Sequence, residues 1–400
     1  MKDSIDTFYS YIDIIDPRLL RHLGGKSASL IELLKGKKYI SEEELIQAIC
    51  GNQHSREYYQ NLKSKTLEIL QVFALVHNSG KSNPVKSKYE ICQKKFLLGQ
   101  KFLTNNQQKE GIRLIRQAYK IAVAYDFTYQ AGELASILYH HHLYYEPNYS
   151  KADYYWEQSE RHIEAYLAEK RAEHHVYQAL RRDNRTNQAE RFQNALSELE
   201  RQTNKSVKFR VYQAVLEVHL GFVTNDYTEV AKTCRGMIEY LKDKKGAYLS
   251  HNWSFHKNLG IAQLLLENFR VAAKSFERAA QYTSAKSFNY HLLGFYQTLN
   301  ALHAADYPTA YELYRQNRRC RFPTLRLQFA IIEAYLCFLS HTGHLHIDRI
   351  FRLGKYLNET IKAQADKQGD NLNVIIAELL ILLARDRGKF IDRIEAVQHY

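Results

Sequence analysis

Four hundred residues, 45% hydrophobic and 25% charged, suit a chain with a large folded core and exclude a disordered one. Five prolines and 17 glycines are too few for an all-β fold, which spends both on turns, and so point to helices. The net charge of +13 favours acidic partners such as nucleic acid, an anionic membrane face or an acidic protein, although the basic residues are spread along the chain among acids. Met1 to Pro17 carries acids throughout and has no uninterrupted apolar stretch, so no secretory signal is expected there. The longest apolar run, at 374–384, is about half the ~20 residues needed to span a bilayer and contains Glu378, so no membrane partner is expected. Cys50, Cys92, Cys234, Cys320 and Cys337 are odd in number and far apart, without a Cys-x-x-Cys pair. That suits a reducing cytoplasm and argues against a disulfide framework or a cysteine zinc site.

In chain order, helical periods begin at 27–39 and 41–51. The second opens with Ser41 and Glu44 in capping-box spacing and stops at Gly51. A longer amphipathic helix is expected at 55–78. The stretch 77–88 combines Gly, Pro, Ser and Lys without an apolar period and reads as a linker. It divides an N-terminal helical region, 1–78, from a second region, 89–400.

The second region contains an internal repeat. A large residue, a small one three later and a large one seven later recur at successive helix starts. The copies are Phe269, Ala272, Phe276 with Ala279; Tyr307, Ala310, Tyr314; Tyr227, Val230, Cys234; Tyr149, Ala152, Trp156; and, more weakly, Gln108, Gly111, Ile115 with Ala118. Their starts are separated by 41, 78, 42 and 38 residues, and the 78 leaves room for one degenerate copy. Antiparallel helix pairs with an apolar face that one pair cannot cover explain the pattern. Stacking covers the face, and a small residue lets neighbouring helices approach closely. The segment 161–205 reads as helical but too polar to match the pattern. Further core helices are expected at 324–343 and 370–388, with a polar helix at 389–400 capping the array.

These residues resemble the tetratricopeptide repeat (TPR). Leu259, Gly260, Phe269, Ala272, Phe276 and Ala279 match that family's whole pattern, and Leu98, Gly99, Phe102 and Ala118 match part of it. The resemblance covers residues 90–320 or so and implies an all-α fold, an α-α superhelix of antiparallel helix pairs. Two departures stand out: the spacing is 38–42 rather than 34, and the closing proline is missing. The resemblance further implies binding through the first helix of each pair. The groove candidates it gives are His141, Tyr144 and Tyr145; Tyr212, Val215, His219 and Phe222; Lys257, Ile261 and Leu264; and Phe295 with Leu299. This aromatic and apolar set implies a protein or peptide partner with an aromatic-rich segment. It lacks the Lys and Asn ring with which the chaperone-binding members hold a C-terminal carboxylate.

Other constellations are weaker. On an α-helix, His140, His141 and His142 point about 100° apart, so they do not share one ion; only His142 and Glu146 have i, i+4 spacing. His341, His344 and His346, with Asp348, lie in an interhelix loop where ligands could converge on a metal. The Gly25-Lys26-Ser27 triplet lacks the preceding glycine of a phosphate loop, because position 20 is Leu20. No catalytic motif is recognisable, so no enzyme activity and no cofactor are expected. Arg181, Arg182 and Arg185, and then Arg315, Arg318, Arg319 and Arg321, form basic runs that could bind anions. They support an alternative function as a nucleic-acid-associated or peptide-sensing regulatory protein.

Overall fold

The computed structural model describes residues 24–36, 42–50, 56–76, 84–181, 187–202, 206–245, 249–285, 287–347, 351–354, 356–357 and 370–398. All regular structure in them is helical. The chain divides into two compact units, Met1–Ile163 and Glu164–Tyr400.

The first unit opens with α1 (Gly25–Gly36), α2 (Glu42–Cys50) and α3 (Arg56–Val76). Leu30, Ile31, Leu34, Leu45, Tyr59 and Leu70 form their shared core. The expected cap Ser41 and stop Gly51 lie outside the described residues. So does 77–83 of the expected linker; from Pro84 onward that linker is already helix. Proline suits a first helical position because its missing N–H would have no intrahelical acceptor. Then come α4 (Pro84–Thr104), α5 (Gln108–Ala124), α6 (Thr128–His140) and α7 (Tyr149–Leu180), and the unit boundary falls inside α7.

The second unit continues with α8 (Gln188–Glu200), α9 (Val207–Val223), α10 (Tyr227–Lys242), α11 (Leu249–Leu265), α12 (Phe269–Ala280), α13 (Phe288–His303), α14 (Tyr307–Asn317), α15 (Pro323–His341), α16 (Asp370–Arg385) and α17 (Arg387–Gln398). The pairs α9/α10, α11/α12 and α13/α14 are TPR-like hairpins. The 78-residue gap, which leaves room for one degenerate copy, holds a further helix pair in the segment read as too polar to match. Its first helix is the C-terminal part of α7, whose Ala168, Ala172 and Ala179 pack with Phe192, Ala195 and Leu199 of α8.

One turn geometry recurs across the array. Asn106, Asp126, Asn225, Glu267 and Ala305 have φ between 57° and 61°. After each, the next N–H reaches back five residues to a helix carbonyl: Gln107 to Phe102 (2.8 Å), Phe127 to Ala122 (2.8 Å), Asp226 to Gly221 (2.8 Å), Asn268 to Gln263 (2.8 Å) and Asp306 to Ala301 (2.9 Å). This is the Schellman arrangement, which satisfies carbonyls that a helix end leaves open. Asp226 and Asp306 then cap the following helix by accepting the N–H groups of Glu229 (3.0 Å) and Thr309 (3.2 Å).

Close approach within the pairs follows the glycines. A Cβ on Gly99 would lie 2.8 Å from Ile115 Cδ1, and one on Gly260 would overlap the Phe276 ring. Ala272, Phe276 and Ala279 are fully buried, as are Ala310, Val230 and Cys234. The copy at 149–156 departs from expectation. Ala152 is buried, but Tyr149 and Trp156 are exposed, and Gly132 of α6 meets Ile163 instead. The connection from 141 to 148 is longer than the other turns and displaces the contact two helical turns along α7.

Candidate functional site

The long connection itself organises a polar cluster. After α6 the residues His141–Tyr145 form a π turn rather than a loop. The Glu146 N–H donates to the His141 carbonyl (3.0 Å) and the Asn148 N–H to that of His142 (2.8 Å). A bond to the fifth residue makes residues five apart neighbours on one face, so Glu146 falls between the two histidines. His141 Nε2 lies 3.1 Å from Glu146 Oε2, and His142 Nδ1 lies 3.9 Å from the same oxygen. The three ligand-type atoms are all within 4.8 Å of one another. This corrects the α-helical expectation that the histidines diverge. Only His140 turns away, stacking on Tyr144 with ring centroids 6.1 Å apart.

The surroundings hold this cluster in place. His142 is 1% exposed and stacks on Tyr155, at 5.7 Å and 2° between planes. Burial holds it below the ordinary histidine pKa, so it is neutral at pH 7. The hydrogen bond from His141 holds Glu146 below the usual carboxylate range. From α5, Arg116 Nη2 lies 3.4 Å from Glu146 Oε2 and 3.5 Å from His142 Nε2. Outside the cluster, the groove candidates Tyr144 and Tyr145 are 69% and 64% exposed, with Tyr149, Tyr154 and Trp156 exposed as well. His141, the third candidate here, is half-buried and stacks on Tyr145 (6.3 Å).

The remaining groove candidates lie in the second unit, mostly in helix contacts. Tyr212 is half-buried against the α7–α8 cluster, and Val215 and Phe222 against the α9–α11 core. His219 stacks on Phe192 at 5.8 Å, and burial lowers its pKa. Lys257 is half-buried over the Trp253 ring (5.4 Å), and burial lowers its pKa too. Leu264 is buried and Ile261 partly so, beside Ala272 and Phe276. Phe295 and Leu299 differ. They line a cavity of about 600 Å³ with Leu302, Ile331, Ile332, Tyr335, Phe338, Leu339 and Leu380, and with His303, Tyr307, Gln328 and Asn373 supplying polar groups. A second cavity, of about 740 Å³ and more polar, lies between α12, α13 and α14 and is lined by Glu267, Arg270, Glu277 and Asp306 among others. Asn300 at its wall is 6% exposed; its Nδ2 donates to the Phe269 carbonyl (3.1 Å).

No family model matches the chain, and no curated protein does. Among solved structures it is similar to the Signal Transduction ATPase with Numerous Domains (STAND) protein with a tetratricopeptide repeat sensor from Pyrococcus horikoshii, at 12% identity and a TM-score of 0.39. The match covers 91% of this chain and 60% of that one, so the chain spans about 60% of that protein's length.

The other sequence-derived candidates are dispersed. Arg181 is exposed, and its carbonyl accepts from Arg191 (3.0 Å). Arg182 and Arg185 lie outside the described residues. Arg315 pairs with Glu312 (3.2 Å) and sits over Tyr311, and Arg321 sits over Phe322. Arg318 is half-buried and Arg319 exposed. His341 donates from Nδ1 to the Cys337 carbonyl (2.8 Å) and accepts at Nε2 from Arg385 (3.1 Å), so both its ring nitrogens are occupied. His344 packs beside Tyr307, His346 is exposed, and the three histidines do not converge; Asp348 lies outside the described residues. Burial pushes the Cys92 thiol up to about 11 and that of Cys234 to about 12, which removes both as nucleophiles at neutral pH. Among the described residues no helix is long and apolar enough to cross a membrane.

What the sequence did not signal was the wall of the apolar cavity contributed by α15 and α16, and the part played by Arg116. The i, i+4 pair His142–Glu146 next to Pro147 was the one available hint of the π-turn cluster.

Proposed function

We propose that the chain is a helical-repeat binding scaffold, not an enzyme, and that it holds an apolar or aromatic segment of a protein partner against Phe295, Leu299, Ile331, Tyr335 and Phe338. The observation that carries this reading is the 600 Å³ cavity, with apolar walls and a few polar groups at fixed places. That composition is usual for a recognition pocket, and the volume suits two or three side chains of a peptide. Binding to such a wall changes little with ionic strength, whereas phosphate contacts made by the arginines would weaken steeply as salt rises. Four buried free thiols support a reducing, cytoplasmic setting.

The test is site-specific photocrosslinking. A photoreactive phenylalanine at position 338, expressed in the native host, should capture one discrete protein whose crosslinked peptide is apolar or aromatic. Capture should survive raised salt and fall at least tenfold in Tyr335→Ala. Equal capture by a probe at exposed Leu372 and at 338, or release by moderate salt, would sink the assignment.

A further inference from the structure

We propose that His141, His142 and Glu146 form a binding site for a divalent transition-metal ion of the zinc type, through His141 Nε2, His142 Nδ1 and a Glu146 carboxylate oxygen. Imidazole nitrogens with a carboxylate are the donor set that zinc, nickel and copper ions take, and three such ligands leave a coordination position for solvent. Bonds of about 2.0–2.1 Å in a tetrahedron place ligand atoms roughly 3.4 Å apart. The carboxylate oxygen here lies 3.1 Å from one imidazole nitrogen and 3.9 Å from the other, and all three atoms fall within 4.8 Å. Glu146 is largely exposed and can shift towards both nitrogens; the two imidazole nitrogens, within 4.8 Å of each other, close to a tetrahedral spacing by about an ångström through rotation of the His141 ring.

A second observation points the same way. His142 Nδ1 is buried and makes no hydrogen bond of normal geometry, with only the Glu146 backbone and carboxylate near it. A buried polar atom without a partner is costly, and an ion at this position would satisfy it. The ring is held rigidly for the task by its stack on Tyr155.

Arg116 is the competitor. Its Nη2 lies on the same carboxylate oxygen and faces His142 Nε2. Once Nδ1 ligates an ion, the proton of the neutral ring must sit on Nε2, which can no longer accept from the guanidinium. Metal and Arg116 therefore exclude each other at this cluster, and the chain exchanges a guanidinium for an ion.

The experiment uses the full chain stripped with a chelator, titrated with Co²⁺ and followed by visible absorption, and with Zn²⁺ by calorimetry. One ion per chain is expected. Glu146→Gln, whose side chain is exposed, should weaken it by at least about a hundredfold with unchanged circular dichroism; His141→Ala should do the same, with circular dichroism checking that loss of its stack on Tyr145 leaves the fold intact. Arg116→Gln should tighten it roughly tenfold by removing a like charge a few ångströms away. The proposal is overturned by no stoichiometric ion in both the parent chain and Arg116→Gln. It is also overturned by binding that survives His141→Ala and Glu146→Gln but is lost in a His344→Ala/His346→Ala variant.

Discussion

Phe276 lies against the backbone of Gly260 so closely that a Cβ on the glycine would overlap three of its ring carbons. Gly260→Ala should therefore destabilise the chain by about 1–3 kcal/mol in urea titration, despite alanine's better helix propensity. Phe276→Leu in that background should recover part of the loss, giving a non-additive double-mutant cycle. Gly236 on α10 is the control, because a Cβ there meets nothing within 4 Å. Gly236→Ala should stabilise by up to about 1 kcal/mol.

The left-handed turns are occupied by unlike residues. Asparagine and aspartate tolerate that conformation, but Ala305 (φ 57°) and Glu267 (φ 61°) are strained in it. Ala305→Gly should raise stability by roughly 0.5–1 kcal/mol, net of the entropy that glycine adds to the unfolded chain. Asn106→Gly should change little. Thermal unfolding midpoints separate the two outcomes.

Burial lowers the His251 pKa to about 4, from an ordinary 6.5. The unfolded chain thus binds more protons at this residue, and its contribution to stability is complete above about pH 6.5. That contribution is lost as pH falls towards 4, by up to about 3 kcal/mol. The urea midpoint should decline across this window, and His251→Gln should flatten the slope. An unaltered slope would remove His251 as its source. His219 and His256 are shifted in the same direction, also by burial, so some slope should remain.

Arg385 ties α16 to its neighbours. It donates to His341 Nε2 (3.1 Å) and to the Phe351 carbonyl (2.9 Å), and its guanidinium lies over the Phe351 ring. Arg385→Met keeps the apolar stem and removes the donors. It should cost about 1–3 kcal/mol and speed amide exchange across Val374–Leu382. Exchange in α9 and α10 should stay as it was.

Much of the architecture was legible in the sequence because apolar periodicity and the Leu259-Gly260 to Phe276 pattern report directly on burial. The 78-residue gap left room for the α7–α8 pair, but its polar sequence did not match the pattern, and its first helix was hidden because α7 continues from Tyr149 to Leu180 without a turn to mark it. The candidate site was far less legible. Periodicity says that Tyr212, Val215 and Leu264 face other residues, yet not whether those residues belong to a partner or to the next helix; the structure shows the next helix. The histidine cluster was obscured by the assumption of 100° per residue, which a π turn of only five residues breaks. Trp156 matched the repeat spacing by position, but the displaced α6–α7 register left it at the surface.

The chain has two tryptophans, and each unit carries one. Trp156 is half-exposed beside Tyr139, while the Trp253 indole nitrogen is buried next to Lys257. The first should emit to the red of the second. Intrinsic fluorescence of the native chain is thus a two-channel record in which loss of the blue component and change in the red one report separately on the two halves. Whether the molecule melts in one step or two can be read without any label.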